Sequence, residues 1–375
     1  MNVSVMQENL ARGLQIVSRA VSARATLPVL ANVLLKTENA GLKLTATNLE
    51  IGINCWVPGK VADEGEITVP AKLLTDLVAS LPNQRVDLQL SAKDRTLKLV
   101  CAGNRSSIKG IEAGEFPVVA AIGDNPVTSL EAKALRDALG EVVFAAASDE
   151  SRPILTGVLT RLNRDEMTLA AADNYRIAVR KVKLASPVPA ELSVVVPARS
   201  YSELMRILPD GDAPVEITVT PNKSQALFHV EGIDLVSRLI EGQFPNYEPV
   251  IPTAHTSRAV LDREAFLAGT RRASIFARDS ANIVKIELGD GSNGTPVSIT
   301  AHAADVGDNA DSLEAAVEGS STTIAFNARY LIDVLSNLGS EQAALELSGP
   351  LAPGVIRGVG KDDYVHVIMP VRTAS

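Results

Sequence analysis

The stretch VPAKLLTDLVASLP at residues 69–82 comes back as VVPARSYSELMRILP at 195–209 and as AFNARYLIDVLSNLG at 325–339. Val69 and Val196 lie 127 residues apart, and Val196 and Phe326 lie 130 apart. Solenoid repeats run to roughly 20–50 residues, so a period this long belongs to whole domains set in series. Two further landmarks keep nearly the same period. Pro28 in LPVLANVLLKTENAGLKLTATNLEIGI and Pro153 in RPILTGVLTRLNRDEMTLAAADNYRIAV are 125 residues apart, and the pairs Phe116-Pro117 and Phe244-Pro245 are 128 apart. The chain therefore divides into three similar domains, expected at 1–124, 125–253 and 254–375, with linkers near 120–127 (AAIGDNPV) and 251–257 (IPTAHTS).

Within the repeated phrase, Leu73, Leu74, Leu77, Val78 and Leu81 form one apolar stripe of an amphipathic helix. Tyr330, Leu331, Val334, Leu335 and Leu338 repeat that stripe, and Tyr201, Leu204, Met205 and Leu208 repeat four of its five positions. A second helix is expected to open each domain, around 7–21, 130–147 and 263–276. Elsewhere the pattern has a period of two and is rich in β-formers, as in VDLQLSA, EITVTP, VKIEL and YVHVIMPV. Each domain is thus α+β, two helices with about eight short strands.

At 375 residues, 46% hydrophobic and 21% charged, the chain has apolar material for several cores. No apolar run reaches membrane-spanning length, and MNVSVMQENLARGL carries charges where a signal peptide is apolar, so a cytoplasmic location without a membrane partner is expected. Cys55 and Cys101 both fall in the first repeat; they cannot build a disulfide framework common to three domains, and buried free thiols are expected.

Few residues carry catalytic chemistry. His229, His255, His302 and His366 show no metal-pair spacing, and neither HExxH nor CxxC occurs. Gly289 to Gly294 matches GxGxxG but lies between two strand-like runs, whereas a dinucleotide fingerprint must open a helix; a hairpin loop is expected. Ser106 to Lys109 matches SxxK inside a β-like run without companion motifs. Asp305, Asp308 and Asp311 lack calcium-loop geometry, and a solvated loop is the expectation. An enzyme working in a cleft between repeats would need converging titratable groups that are missing, and a secreted adhesion array would need a signal peptide. No cofactor and no catalytic residue are assigned.

Net charge is -8, which argues against nucleic acid until its distribution is considered. The six helical segments (7–24, 71–81, 130–147, 198–208, 263–278 and 327–338) hold 13 Lys+Arg and 8 Asp+Glu, so they carry +5 and the remainder carries -13. Solvent-facing helix charges would give such a bias, and so would helices that share one face as a mildly basic lining for phosphates.

With the triplication, the segments ESRPILTGVLTRL, AAADNYRIAV, EGQFPNYEPVIP, FNARYLIDVL and YVHVIMPVR resemble the bacterial sliding clamps, the β subunits of DNA polymerase III, over residues 1 to about 372. The resemblance implies the DNA-clamp fold and a head-to-tail homodimer whose six domains close a ring, with helices lining the hole. Its function would be processivity: the ring encircles duplex DNA without sequence specificity and tethers the DNA polymerase III core, the clamp loader, other polymerases and repair proteins through a peptide pocket between domains 2 and 3. Carried over by resemblance, that pocket takes Leu155, Asn174, Tyr175, Arg176, Ile177, Pro245, Val250, Asn327, Tyr330, Leu351, Val367, Met369, Pro370, Val371 and Arg372. DNA contacts fall on Arg24, Lys72, Arg152 and Arg199, and the dimer interface on Ile275 and Phe276.

Overall fold

The computed structural model describes every residue except 23–26, 39, 40, 122–125, 279, 290–296, 306 and 373–375. The first repeat runs β1 (Asn2–Met6), α1 (Gln7–Val17), β2 (Asn32–Glu38), β3 (Gly41–Thr47), β4 (Ile51–Asp63), β5 (Glu66–Pro70), α2 (Ala71–Ala79), β6 (Arg85–Ser91), β7 (Thr96–Cys101) and β8 (Asn104–Lys109). The second repeats that order as β9 (Thr128–Glu131), α3 (Ala132–Val142), β10 (Gly157–Asn163), β11 (Glu166–Ala172), β12 (Arg176–Lys183), β13 (Leu192–Pro197), α4 (Ala198–Ile207), β14 (Pro214–Val219), β15 (Gln225–Val230) and β16 (Ile233–Arg238). The third is β17 (Ser257–Asp262), α5 (Arg263–Ala277), β18 (Ile283–Leu288), β19 (Val297–Ala303), β20 (Gly307–Leu313), β21 (Ala315–Gly319), β22 (Thr322–Asn327), α6 (Ala328–Asn337), β23 (Gln342–Leu347), β24 (Gly354–Gly358) and β25 (Tyr364–Ile368). Only β21 departs from the common plan.

Each repeat builds two antiparallel four-stranded sheets. The first sheets run β5-β2-β3-β4, β13-β10-β11-β12 and β22-β18-β19-β20, and the second run β1-β6-β7-β8, β9-β14-β15-β16 and β17-β23-β24-β25. Two antiparallel seams join sheets of successive repeats. At one, β4 pairs with β16, with Ile51 opposite Ser237 and Cys55 opposite Ile233. At the other, β12 pairs with β25, with Arg176 opposite Ile368 and Arg180 opposite Tyr364.

These seams explain why the molecule divides into two compact units rather than three. One comprises Met1–Lys133 with Glu203–Leu239, the other Ala134–Ser202 with Ile240–Ser375. The second repeat therefore lends one sheet to each unit.

The helix stripe holds where it meets a sheet and fails at its margin. Leu74, Val78 and Leu81 are buried, whereas Leu73 is exposed and Leu77 half-buried. In α6, Leu331, Val334, Leu335 and Leu338 are buried, but Tyr330, the counterpart of Leu73, is half-buried. The expected helix start at 130 comes late, because Thr128–Glu131 pairs with β14 as a strand and Ala132 opens the helix. Both cysteines are buried and free, and burial pushes the Cys55 thiol up to about 11.

One other expectation is corrected. Asp308 and Asp311 lie on strand β20 rather than in a loop; Asp308 meets His302, and Asp311 takes both donors of Arg272. Of the GxGxxG stretch only Gly289 is described, and the strands on either side, β18 and β19, pair antiparallel. Ser106 to Lys109 is part of strand β8.

Candidate functional site

The strands of the seam between β12 and β25 carry Arg176, Ile177 and Val367 of the expected pocket residues, and Asn174, Tyr175, Met369 and Pro370 flank their ends. Asp173 starts it: its Oδ1 accepts from the Tyr175 and Arg176 amides at 2.7 and 2.9 Å and fixes the turn before β12. That turn leaves Tyr175 56% exposed while Arg176, the next residue, is buried. Arg176 donates to Asp173 at 3.1 Å, to Asp333 of α6 at 2.6 Å and to the Phe144 carbonyl at 2.8 Å. Its guanidinium also lies 4.6 Å from the Tyr330 ring centre, and Tyr330 stacks on Tyr175 at 6.1 Å. A buried cation needs its donors satisfied, and here pairing and ring faces meet that need together. Partial burial, with Asp173 next in effect, raises the Tyr330 phenol above its ordinary value, so it stays neutral and donor-competent.

Leu155, Ile177 and Val367 share one apolar cluster with Val179, Phe244, Tyr247 and Val355. They are buried, so they lie beneath the surface of the seam and are not reachable from it. The reachable apolar groups are Tyr175, Met369 and Leu351, the last 67% exposed. Met369 is anchored by its amide to the Tyr175 carbonyl at 2.8 Å, and Val371 by its amide to the Ala325 carbonyl at 2.8 Å. Past that point Leu351, Val371 and Arg372 line a cleft of about 480 Å³ with Lys285, Thr323, Ile324, Ala325 and Pro350. Asn327 caps α6 by accepting from the Arg329 amide.

Not every expected residue joins this surface. Pro245 lines a different cleft, of about 630 Å³, with Phe244 and the edge of β13. Val250 sits exposed on a one-turn helix at Glu248–Val250, and Pro370 is half-buried between its two anchored neighbours. Asn174 accepts from Arg152 at 3.3 Å, which ties an expected DNA residue to an expected pocket residue. Sequence reasoning missed Asp173, Phe144, Asp333 and Tyr247. The first had a usable signal, since Asp173 and Asn48 stand at equivalent repeat positions before a strand.

Beneath the seam lies a polar layer. Glu141 meets Arg180 at 2.9 Å and accepts from the Gly339 amide, and Arg180 also meets Asp363. Burial raises the Glu141 carboxyl, opposed by Arg180. His366 is fully buried beside Phe144 with neither ring nitrogen hydrogen-bonded, and burial, aided by Arg176, pushes it down to about 3.

Of the expected DNA contacts, Arg24 lies outside the described residues, and Lys72, Arg152 and Arg199 are exposed. Lys72 and Arg199 occupy the second position of α2 and α4, and Arg329 the second position of α6. Ile275 is exposed and Phe276 half-buried near the end of α5. Among the described residues no cluster of three His, Cys, Asp or Glu is placed to hold a metal, and no helix is long and apolar enough to cross a membrane.

Three family profiles tile the chain: the DNA polymerase III beta subunit N-terminal domain at residues 1–120, central domain at 129–246 and C-terminal domain at 248–372. This chain belongs to the DNA polymerase III beta subunit family. It is 34% identical to the beta sliding clamp of Synechococcus elongatus, covering 100% of both chains, and 28% identical to that of Bacillus subtilis over the same full coverage. Among solved structures, the DNA polymerase sliding clamp of Bacillus subtilis superposes with a TM-score of 0.94 at 27% identity, and the DNA polymerase III subunit beta of Pseudomonas aeruginosa with 0.91 at 29%. The Bacillus structure covers 100% of both chains, and the Pseudomonas structure 99% of this chain and 100% of its own. The clamp fold, with its three similar domains, is therefore common to all of them.

Proposed function

We propose that the chain is the DNA sliding clamp of replication, a processivity factor without catalysis that works in the cytoplasm as a head-to-tail homodimeric ring. The carrying observation is a missing seam. Strands β16 and β25 end their second sheets and pair with β4 and β12 of the preceding repeat. Among the described residues, their counterpart in the first repeat, β8, pairs only with β7, and β20, the counterpart of β4 and β12, pairs only with β19. Each chain thus offers one unused strand of each kind, and a second copy supplies the match. Two copies joined this way use a heterologous contact twice and close. Charge favours the pairing, since β8 presents Arg105 and Lys109 while β20 carries Asp308 and Asp311. Ile275 and Phe276 would add apolar contact beside β20, and the residues 1–124, 125–253 and 254–375 would be the ring's domains.

A cation in the first turn of a helix faces the positive end of the dipole, which disfavours it by about 0.3–1 kcal/mol. Lys72, Arg199 and Arg329 accept that position in all three repeats. An external polyanion accounts for it, and with Arg24 and Arg152 these residues would meet phosphates. Weak, sequence-blind contacts suffice when linkage holds the DNA, and they permit sliding. The pocket over the second seam would hold short peptides of the polymerase III core, clamp loader, other polymerases and repair proteins, keeping them at high local concentration.

Retention on DNA tests the ring. Loaded protein should stay on nicked circular DNA and run off once the circle is cut; equal retention on both sinks the proposal. Arg105→Glu should halve the mass seen by light scattering at micromolar concentration, and an unchanged mass would remove the edge-strand seam.

A further inference from the structure

We propose that the cleft along the outer edge of β22 is an acid-accepting subsite, taking a carboxylate-bearing stretch of the partner peptide as it leaves the pocket. This rests on the peptide-pocket reading and adds a ligand chemistry to it. The Met369 amide is bonded to the Tyr175 carbonyl and, two residues on, the Val371 amide to the Ala325 carbonyl in the cleft, so a chain lying over Tyr175 and Met369 would reach the cleft within two residues.

Two features of the cleft suit an extended acidic segment. The Val371 amide makes one rung to Ala325, and among the described residues β22 has no strand partner on that side, its sheet partner being β18. The backbone toward Thr323 is left open to an added strand. Lys285 and Arg372 are both exposed at the rim, and among the described residues neither is in an ion pair.

The equivalent cleft of the second repeat shows what a committed version looks like. There Val195 takes the rung from the Ile240 amide, and the cation at the rim, Arg161, is shared between Glu191 at 4.0 Å and Glu248 at 3.2 Å. Its charge is spent internally. In the third repeat Lys285 also lines a neighbouring cleft that holds Asp308, and on its own strand Glu287 lies opposite Thr323 in register, whereas Lys285 lies opposite Ala325. Glu287 would repel an acid at its end of the cleft, which places the favoured carboxylate at the Lys285 and Arg372 end.

Fluorescence anisotropy on the whole chain separates this proposal from the pocket reading. The probes are labelled peptides with identical apolar anchors, flanked at one end or the other by Asp-Asp or by Ser-Ser. One of the acid-flanked peptides should bind about three- to tenfold tighter than its serine twin at low salt, the range for one or two exposed ion pairs, with the gain lost in molar salt. Lys285→Ala should cut that gain and Lys285→Glu erase or reverse it, while the serine peptides bind all three proteins alike, which also shows that the variants are folded. Equal binding of acid and serine peptides to the parent, or a gain that survives Lys285→Glu, overturns the subsite and leaves the pocket standing. If no peptide binds, the pocket reading falls and the subsite falls with it.

Discussion

The two seams are built on one backbone plan and finished with opposite side chains. Before β4 the Asn48 Oδ1 accepts from the Glu50 and Ile51 amides, and before β12 the Asp173 Oδ1 accepts from the Tyr175 and Arg176 amides. The Arg238 amide donates to the Glu50 carbonyl at 2.8 Å, and the Met369 amide to the Tyr175 carbonyl at the same distance. Above this shared frame the first seam is closed. Gly52 lies under Val119, where an added Cβ would come within 2.6 Å of Cγ1, and buried Asn54 bonds to Thr45 and to the Ala120 carbonyl. At the second seam the same positions are Ile177 and Val179 on an apolar floor, and Tyr175 and Met369 stand exposed where the first seam has Glu50 and Arg238. Main-chain hydrogen bonds place the seam, and a handful of side chains decide whether its surface is closed and polar or open and apolar.

Substitution at the floor should separate the seams most strongly. Ile177→Ala removes buried methyl groups and is expected to lower stability by about 2–5 kcal/mol in denaturant titrations, with loss of peptide binding. Filling the other floor acts through crowding: Gly52→Val should lower stability by about 1–3 kcal/mol, with Val119→Ala restoring part of it, and peptide affinity should not move.

Acid comes next. Leu235 occupies the first seam where the second has His366, so at that position only the second carries a titratable group. His366 is held neutral in the folded state down to about 3, while the unfolded chain protonates near the ordinary imidazole value of 6.5. Its stability contribution is thus complete above 6.5 and falls with pH until about 3, at up to about 1.4 kcal/mol per pH unit. His366→Leu should flatten the melting-temperature profile in that window; a profile that keeps its slope would assign the acid sensitivity elsewhere. The smallest effect is expected from Glu50→Tyr with Arg238→Met, which copies the mouth of the second seam onto the first. Stability should change by less than about 0.5 kcal/mol, and calorimetry should detect no new peptide site, because the floor is absent.

Much of this was visible in the chain alone. The repeated helix phrase and the Phe-Pro pairs gave three domains and their α+β content, since repetition and period are local properties of sequence. The strand pairings that matter most were not. Ile51 finds Ser237 and Arg176 finds Ile368 across long stretches of chain, and nothing local to either strand marks its partner. Leu155, Ile177 and Val367 are expected at a pocket and are buried in one cluster, because residue type does not distinguish a buried apolar side chain from a reachable one. Asp308 and Asp311 were expected in a loop because three acids at short spacing look soluble; the alternation that makes β20 an edge strand lets them face outward or bind Arg272.

The shared ownership of the second repeat bears on how the protein is made. One of its sheets is completed by β4, already synthesised when it emerges, but the other waits for β25, the last strand of the third repeat. On the ribosome, β12 must therefore spend most of the third repeat's translation with an exposed edge. The middle of this protein cannot finish folding until the third repeat has been made.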